Sequence, residues 1–350
     1  MSEFLLELYS EEIPPQLQIS ARKELKQIIK KSLETEGIKY ESLSEYSSPT
    51  RLTILLKGLP EKLKTPSREI KGPKVGVIED ILNSFVRSHN VSKKDVFKKE
   101  IDKGEFYFIK TKSKELPTAD LLIKIILNSI SSLNWKKSMK WSDHNLIWGR
   151  PLRSILAIYN KKLLSFSYGH LKSTDTVVLE QDLSTKYKKV KNFSEYQNLL
   201  KNNKIILDQE ERKEKILKRF QSISKFKNFK ESFNNKLLEE VVNIVENPNV
   251  LIAEFNKDYL KIPQEIIIST LQTHQRYFPL FDLKDKLTNY FLVVANKIDK
   301  KNIIKAGNKR VVEARLSDAK FFWEKDKSKN LIKQIVNLKK ITFYDKIGTI

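Results

Sequence analysis

Three short apolar stretches, VLIAEF (250–255), YFPLF (277–281) and YFLVVA (290–295), decide the fold class of this 350-residue chain. Their β-branched and aromatic residues are typical of strands, and a helix that begins at Pro263 separates the first stretch from the second. Strands and helices follow one another without strict alternation. This order favours a multidomain α+β protein with mostly antiparallel sheets over a doubly wound parallel sheet.

The N-terminal region shows the same mixture. Pro15 opens a helix with apolar residues at helical spacing, and Gly37 ends it. The basic stretch 61–74 contains prolines and predicts a loop, while Thr118 is expected to cap a helix that runs to about Leu133. Strands are predicted at 4–9, 52–56 and 106–112, a hairpin at 155–168, and further helices at 80–89, within 210–244, at 310–324 and at 326–340.

The charge balance is strongly basic. The net charge is +23 and the pI is near 9.7, which favours a polyanionic partner such as nucleic acid or an anionic membrane surface. Lysine far outnumbers arginine, so a general drift in composition is the alternative explanation. There is no basic signal region at the N-terminus and no apolar run long enough for a membrane span, so a soluble cytoplasmic protein without membrane contact is predicted.

The residue types exclude several kinds of catalytic site. The chain has no cysteine, which excludes disulfides, thiolate zinc sites and Fe–S clusters. It has nine glycines and neither phosphate-binding glycine motif, and its four histidines are scattered, with Asp143–His144 as a single His/Asp pair. The sequence therefore predicts no catalytic residues and no metal site in this chain.

Arginines beside aromatic residues are the first candidate for RNA binding. Trp148-Gly149-Arg150-Pro151-Leu152-Arg153 places Arg150 and Arg153 next to a tryptophan, which suits a phosphate-contacting loop with a stacking ring. The alternative, which we favour for the tryptophans, is that the rings are core and the charges are solvated.

The run Thr273-His274-Gln275-Arg276-Tyr277-Phe278-Pro279 is the denser candidate. His274, Gln275 and Arg276 carry donors for base edges and phosphates, and Tyr277 or Phe278 could stack on a base. A helix-to-strand junction with a buried aromatic pair explains the same run, and both interpretations remain open.

The predicted helix 310–324 has one charge out of place. Its helical wheel puts Val312, Leu316, Ala319 and Trp323 on the core side and Arg310, Glu313, Ser317, Lys320 and Glu324 on the solvent side. Arg315 falls on the apolar side, so it must be paired or used. Asp318 is the predicted ion-pair partner, and a ligand contact is the alternative.

Nine motifs in one order resemble the beta subunit of bacterial heterotetrameric glycyl-tRNA synthetase. They are Glu7-Leu8-Tyr9-Ser10-Glu11-Glu12-Ile13-Pro14, Ser48-Pro49-Thr50-Arg51-Leu52, Lys71-Gly72-Pro73, Met139-Lys140-Trp141, Arg150-Pro151-Leu152-Arg153, Val245-Glu246-Asn247-Pro248, the run from His274 to Pro279, Ala306-Gly307-Asn308-Lys309-Arg310-Val311, and the run from Ala314 to Trp323. The family's G-H-R-F segment is replaced by Asp175-Thr176-Val177-Val178-Leu179-Glu180, and the resemblance covers the N-terminal half of the family only.

The resemblance implies that two subunits carry out different parts of the reaction. An alpha subunit would activate glycine with ATP, with Mg²⁺ at its own site, while this chain would bind and orient tRNA(Gly) and be inactive alone. It also implies domains at 1–150, 151–325 (similar to a B3/B4 module) and 326–350, the helical start of a truncated HD-like domain. The candidates for tRNA or partner binding are Arg51, Lys71, Arg150, Arg153, His274, Gln275, Arg276, Arg310, Arg315 and Lys320.

Two other functions are consistent with the residues. A stand-alone RNA-binding or ribosome-associated protein would need the same basic surface and no enzyme. An independent hydrolase would need a His/Asp site assembled from distant parts of the chain.

Overall fold

The computed structural model describes residues 2–64, 69–89, 91–101, 104–110, 115–141, 145–181, 184–230, 233–338, 341–344 and 348–349. His144 and Asp143 lie outside the described residues, as do 65–68 of the predicted loop and 345–347 near the end of the chain.

The described helices are α1 (Pro15–Thr35), α2 (Glu79–Ser88), α3 (Thr118–Ser132), α4 (Phe193–Asn202), α5 (Gln209–Lys227), α6 (Asn235–Val242), α7 (Gln264–Ser269), α8 (Ile303–Lys327) and α9 (Leu331–Leu338). The described strands are β1 (Glu3–Ser10), β2 (Ser42–Ser48), β3 (Arg51–Lys57), β4 (Lys62–Lys64), β5 (Glu69–Lys74), β6 (Val96–Ile101), β7 (Gly104–Lys110), β8 (Glu115–Pro117), β9 (Met139–Trp141), β10 (Leu146–Trp148), β11 (Leu152–Tyr159), β12 (Lys162–Leu163), β13 (Ser167–Tyr168), β14 (Leu171–Thr174), β15 (Thr176–Gln181), β16 (Ser184–Lys189), β17 (Asn249–Glu254), β18 (Phe278–Phe281), β19 (Leu287–Ala295), β20 (Thr342–Tyr344) and β21 (Gly348–Thr349).

The chain divides into two compact units. Unit 1 comprises Met1–Ser10, Ser20–Glu45 and Leu52–Tyr196, and unit 2 comprises Glu11–Ile19, Tyr46–Arg51 and Gln197–Ile350. Helices mixed with mostly antiparallel sheets confirm the α+β class. Strand β11 pairs along its length with β1 inside unit 1.

Strand β1 lies near the middle of the main sheet of unit 1, whose order is β13-β14-β11-β1-β3-β2. It pairs antiparallel with β11, with Phe4 opposite Tyr159 and Leu8 opposite Ile155. All residues from 4 to 9 are buried, so both faces of the strand are covered. Glu7 is among them, and its carboxylate accepts a hydrogen bond from the hydroxyl of Tyr196.

Helix α1 begins and ends where the sequence predicts. The carbonyl of Pro14 accepts hydrogen bonds from the backbone N–H groups of Leu17 and Gln18. At the other end Gly37 has a φ of +67°, and the N–H of Ile38 donates to the carbonyl of Leu33 over 2.8 Å. Glycine adopts this left-handed conformation without a steric penalty, so it can close the helix.

Two local predictions in unit 1 are wrong. The described part of 61–74 is not a loop, because β4 pairs with β8 and β5 pairs with β7, partners that lie much later in the chain. Helix α3 does begin at Thr118, but its N-cap is Pro117, which has no capping side chain. The hydroxyl of Thr118 donates instead to the carbonyl of Pro60.

The predicted hairpin at 155–168 is confirmed in its first half only. Strand β12 turns back on β11, with Leu163 opposite Ile158. Strand β13 pairs with β14 instead, and β14 runs parallel to β11.

Unit 2 contains an antiparallel sheet in the order β17-β19-β18, built from the three predicted stretches. Side chains alternate between its two faces along each strand. Leu292 packs with α5 and α6 on one face, whereas Phe291 and Val293 pack with α7 and α8 on the other. The sheet therefore lies between two helical layers.

In the part of the chain that the structure describes, no helix is both long and apolar enough to cross a membrane.

Candidate nucleic-acid interface

A π turn forms the centre of the His274–Pro279 run. Helix α7 continues into the π turn Thr270–His274, which precedes β18. Leu271 is buried in the core of unit 2, whereas Thr273 and His274 are exposed. Single π turns inside helices are rare and occur frequently at functional sites.

Arg276 holds the π turn in place. Its Nε donates to Glu240 Oε1 of α6 over 2.6 Å, and its guanidinium also donates to the carbonyl of Thr273. Its φ is +59°, a left-handed conformation that costs a non-glycine residue about 1–2 kcal/mol. The side chain is 41% exposed, so solvent screens the ion pair to about 1 kcal/mol.

Tyr277 connects the π turn to α8. The ring is buried and stacks on Phe291, with 5.4 Å between ring centres. Burial raises the pKa of the Tyr277 phenol, which keeps the hydroxyl protonated. This hydroxyl donates to Asn308 Oδ1, and Asn308 Nδ2 donates to the carbonyl of Ile304 over 2.6 Å.

The core side of α8 agrees with the predicted wheel. Val312 and Leu316 are fully buried, and Ala319 and Trp323 pack against the same core cluster.

The prediction that Arg315 faces the core is wrong. Arg315 is exposed. Phe322, which lies two helical turns later on the same side of α8, is 58% exposed, so this side of the helix does not face the core. Among the described residues no ion pair joins Arg315 to Asp318. Arg315 lies seven positions after Asn308, about two helical turns further along, so it is on the same side of α8 as the residue that bonds Tyr277.

We call this surface the π-turn surface: Thr273, His274, Gln275, Asn308 and Arg315. Gln275 is half-buried and the side chains of His274 and Arg315 are exposed. Arg310 is also exposed, but the helical wheel puts it on the opposite side of α8. Lys320 lies 3.9 Å from Glu324 on a third side.

Arg51 lies in the interior of unit 2. Only 2% of it is exposed, and its guanidinium lies 3.3 Å from Glu246 and 2.8 Å from the hydroxyl of Thr50. The hydroxyl of Ser48 also donates to Glu246, over 2.8 Å. Two of the quoted motifs therefore meet in one buried polar cluster, which leaves Arg51 no surface for RNA.

The other three candidates for tRNA or partner binding, Lys71, Arg150 and Arg153, lie in unit 1. Lys71 Nζ lies 3.7 Å above the ring of Phe106, and Arg150 donates to the carbonyl of Gly149 over 2.7 Å. Arg153 pairs with Glu180 over 2.5 Å. Trp148 is fully buried, which confirms the core interpretation for that ring.

Sequence reasoning missed Arg212, the most fully satisfied arginine of unit 2. It is 0% exposed on α5, and it donates to four backbone carbonyls: Val242 at 3.0 Å, Ile206 at 2.7 Å, Leu207 at 2.9 Å and Ser47 at 2.8 Å. The sequence carries one signal for this role, which is the choice of arginine at position 212 in a helix rich in lysine. The planar guanidinium has five N–H donors, so it can bond several carbonyls at once, whereas the lysine ammonium cannot reach them all.

Comparison with known proteins decides the family. The family model described as "Glycyl-tRNA synthetase beta subunit" matches residues 4–350. The chain belongs to the glycyl-tRNA synthetase beta subunit family. It is similar to the glycine–tRNA ligase beta subunits of Rickettsia felis and Rickettsia peacockii, each at 35% identity, and of Rickettsia canadensis at 34%. The matches cover 100% of this chain and 53%, 53% and 52% of those relatives, so the chain spans about half their length.

Variants of Arg276 test whether its left-handed backbone conformation is strained. Arg276→Ala is expected to lower the free energy of unfolding by about 1 kcal/mol, because it removes the Glu240 pair and keeps the left-handed backbone. Arg276→Gly removes the same pair but relieves about 1 kcal/mol of strain, so it is expected to be close to the parent protein. Urea unfolding followed by circular dichroism measures both. An alanine variant as stable as the glycine variant would contradict the strain.

Proposed function

We propose that this chain binds and orients tRNA(Gly) as part of a glycine–tRNA ligase, while an alpha subunit activates glycine with ATP and Mg²⁺ in the cytoplasm. The observation that carries the proposal is the family match over residues 4–350. The heterotetramer, the B3/B4-like character of 151–325 and the HD-like start at 326–350 remain predictions of the same resemblance.

The charge and the side chains support a tRNA-binding role. The net charge of +23 favours a polyanionic partner. Among the described residues, no group of three or more His, Cys, Asp and Glu side chains is placed to hold a metal ion.

Within the candidate set, we propose the π-turn surface as the RNA contact. His274 and Arg315 are exposed there, and among the described residues neither has a carboxylate partner. An unpaired guanidinium can form two parallel hydrogen bonds to a phosphate. Arg276 serves this surface indirectly, because its guanidinium is already bound to Glu240 and to Thr273.

The double variant His274→Ala/Arg315→Ala tests this surface. Loss of a phosphate contact by Arg315 and of a donor by His274 is expected to cost about 1–2 kcal/mol, which weakens tRNA(Gly) binding about tenfold. Fluorescence anisotropy with labelled tRNA(Gly) at low salt measures the affinity.

The matched control is His89→Ala/Arg87→Ala at the C-terminal end of α2, where His89 is the C-cap residue. It removes the same two residue types from an exposed helix end in unit 1. An equal loss in both double variants would show a non-specific charge effect, and no loss in the first would remove the π-turn surface from the proposal. Glycine-dependent ATP–pyrophosphate exchange by this chain alone would overturn the assignment of glycine activation to the alpha subunit.

A further inference from the structure

A cleft of about 690 Å³ lies in unit 2 at the outer edge of β17. One wall is the outer face of α5, with Lys215, Lys218 and Arg219. The opposite wall is the segment before α8, where Ile298 is 60% exposed. Val250 and Leu251 of β17 form the floor. We call this feature the β17 cleft.

The backbone of β17 is open on the side of the cleft. Within the described residues β17 pairs only with β19. The N–H of Phe255 donates to the carbonyl of Asn289 over 3.0 Å, which identifies the residues whose backbone groups point toward β19. Because these groups alternate along an antiparallel strand, those of Val250 and Ile252 point outward. An open edge of this kind can accept another strand unless charges or a covering segment protect it.

The carboxylates of the cleft already have partners. Glu214 lies 3.2 Å from Lys218, and Glu211 lies 3.6 Å from Lys201. Asp299 accepts from the backbone N–H groups at the start of α8, at 3.2 and 2.8 Å.

Two cations of the cleft have no carboxylate partner within the described residues. Lys215 Nζ donates to the amide oxygen of Asn247 over 2.8 Å, and Arg219 is exposed on α5. The α5 wall of the cleft therefore carries two uncompensated positive charges above an aliphatic floor, while Asp299 on the opposite wall keeps its negative charge.

We propose that the β17 cleft binds an extended acidic segment of a partner polypeptide by strand addition. The open edge offers main-chain donors and acceptors at the spacing of a peptide backbone. The lining has no aromatic ring on which a nucleic-acid base could stack, which disfavours single-stranded RNA. This inference is independent of the proposed tRNA contact.

The arrangement also determines the pattern of the bound segment. Side chains of an added strand alternate between the two faces of the sheet. Those on the α5 side meet Lys215 and Arg219, whereas those on the α8 side meet Leu251 and Ile298. The segment should thus alternate acidic and aliphatic residues.

A fluorescein-labelled peptide of sequence Glu-Val-Glu-Val-Glu-Val-Glu is a suitable probe, because it is about as long as the six residues of β17. Anisotropy with the 350-residue chain is expected to show saturable binding. Arg219→Glu and Lys215→Glu/Arg219→Glu should each weaken it, the double variant by about tenfold or more. A lysine-for-glutamate probe and a probe N-methylated at alternate residues should not bind.

The control variant Lys225→Glu/Lys227→Glu makes the same charge change on exposed residues of α5 outside the cleft. It should leave the affinity for the probe within about twofold of the parent. Thermal melts establish that each variant is folded.

Four outcomes would overturn the inference. They are no saturable binding, equal binding of the N-methylated probe, an equal loss in the control variant, and competitive displacement of the probe by an oligouridine that binds the cleft more tightly. Because tRNA(Gly) binding is measured separately on the π-turn variants, failure here would leave the proposed function unaffected.

Discussion

Arg212→Ala is expected to lower the free energy of unfolding by about 5 kcal/mol, the largest stability effect that we predict for this protein. The change leaves four buried carbonyls without their donor, and each unsatisfied group costs about 1–3 kcal/mol before water enters. It also leaves a cavity beside the helix. At about 2–4 °C per kcal/mol, the melting temperature should fall by roughly 10–20 °C.

Two further variants identify the cause. Arg212→Lys keeps the charge but cannot bond four carbonyls that lie in different directions, so most of the loss should remain. Arg219→Ala removes an exposed arginine from the same helix and should change stability by less than about 0.5 kcal/mol. If Arg212→Ala had the same melting temperature as the parent protein, water would have replaced the guanidinium without lowering the free energy of unfolding.

The affinity for tRNA(Gly) is expected to fall about a thousandfold between 50 and 200 mM salt, on the basis of about six phosphate contacts. Each phosphate neutralised by lysine or arginine releases condensed counterions, which contributes about 0.7–0.9 log units per log unit of salt. With a net charge of +23, a footprint of that size is reasonable. Anisotropy titrations across this salt range measure the slope.

The π-turn variant refines the salt experiment. His274→Ala/Arg315→Ala should reduce the slope by about one unit if Arg315 contacts one phosphate. A flat response in the parent protein would instead mean that the lysines reflect composition alone. Unchanged slopes in the variant, beside a steep parent slope, would place the phosphate contacts elsewhere on the chain.

Regular elements with their own local signals could be predicted. Proline and glycine mark the two ends of α1, and the apolar spacing of α8 correctly gives Val312 and Leu316 as core. The three stretches that became β17, β18 and β19 carry strand-forming residues over most of their length. The ordered motifs likewise led to the correct family.

The roles of the arginines could be determined only from the tertiary structure. Arg51 and Arg315 both stand in family motifs, yet Arg51 is buried against Glu246 and Arg315 is exposed on a helix flank. The described part of 61–74 could not be predicted for the same reason, because the strands that pair with it lie far along the chain.

The sequence by itself determined the α+β class, the order of most regular elements, the family and the basic charge. The tertiary structure alone decided which charges are interior, which side chains share the π-turn surface and which strand edge is open. The physical reason is that helix and strand periodicity depends on neighbours a few residues apart, whereas burial depends on segments distant in sequence. Arg212 illustrates this difference, because one of its four acceptors, Ser47, lies 165 residues away.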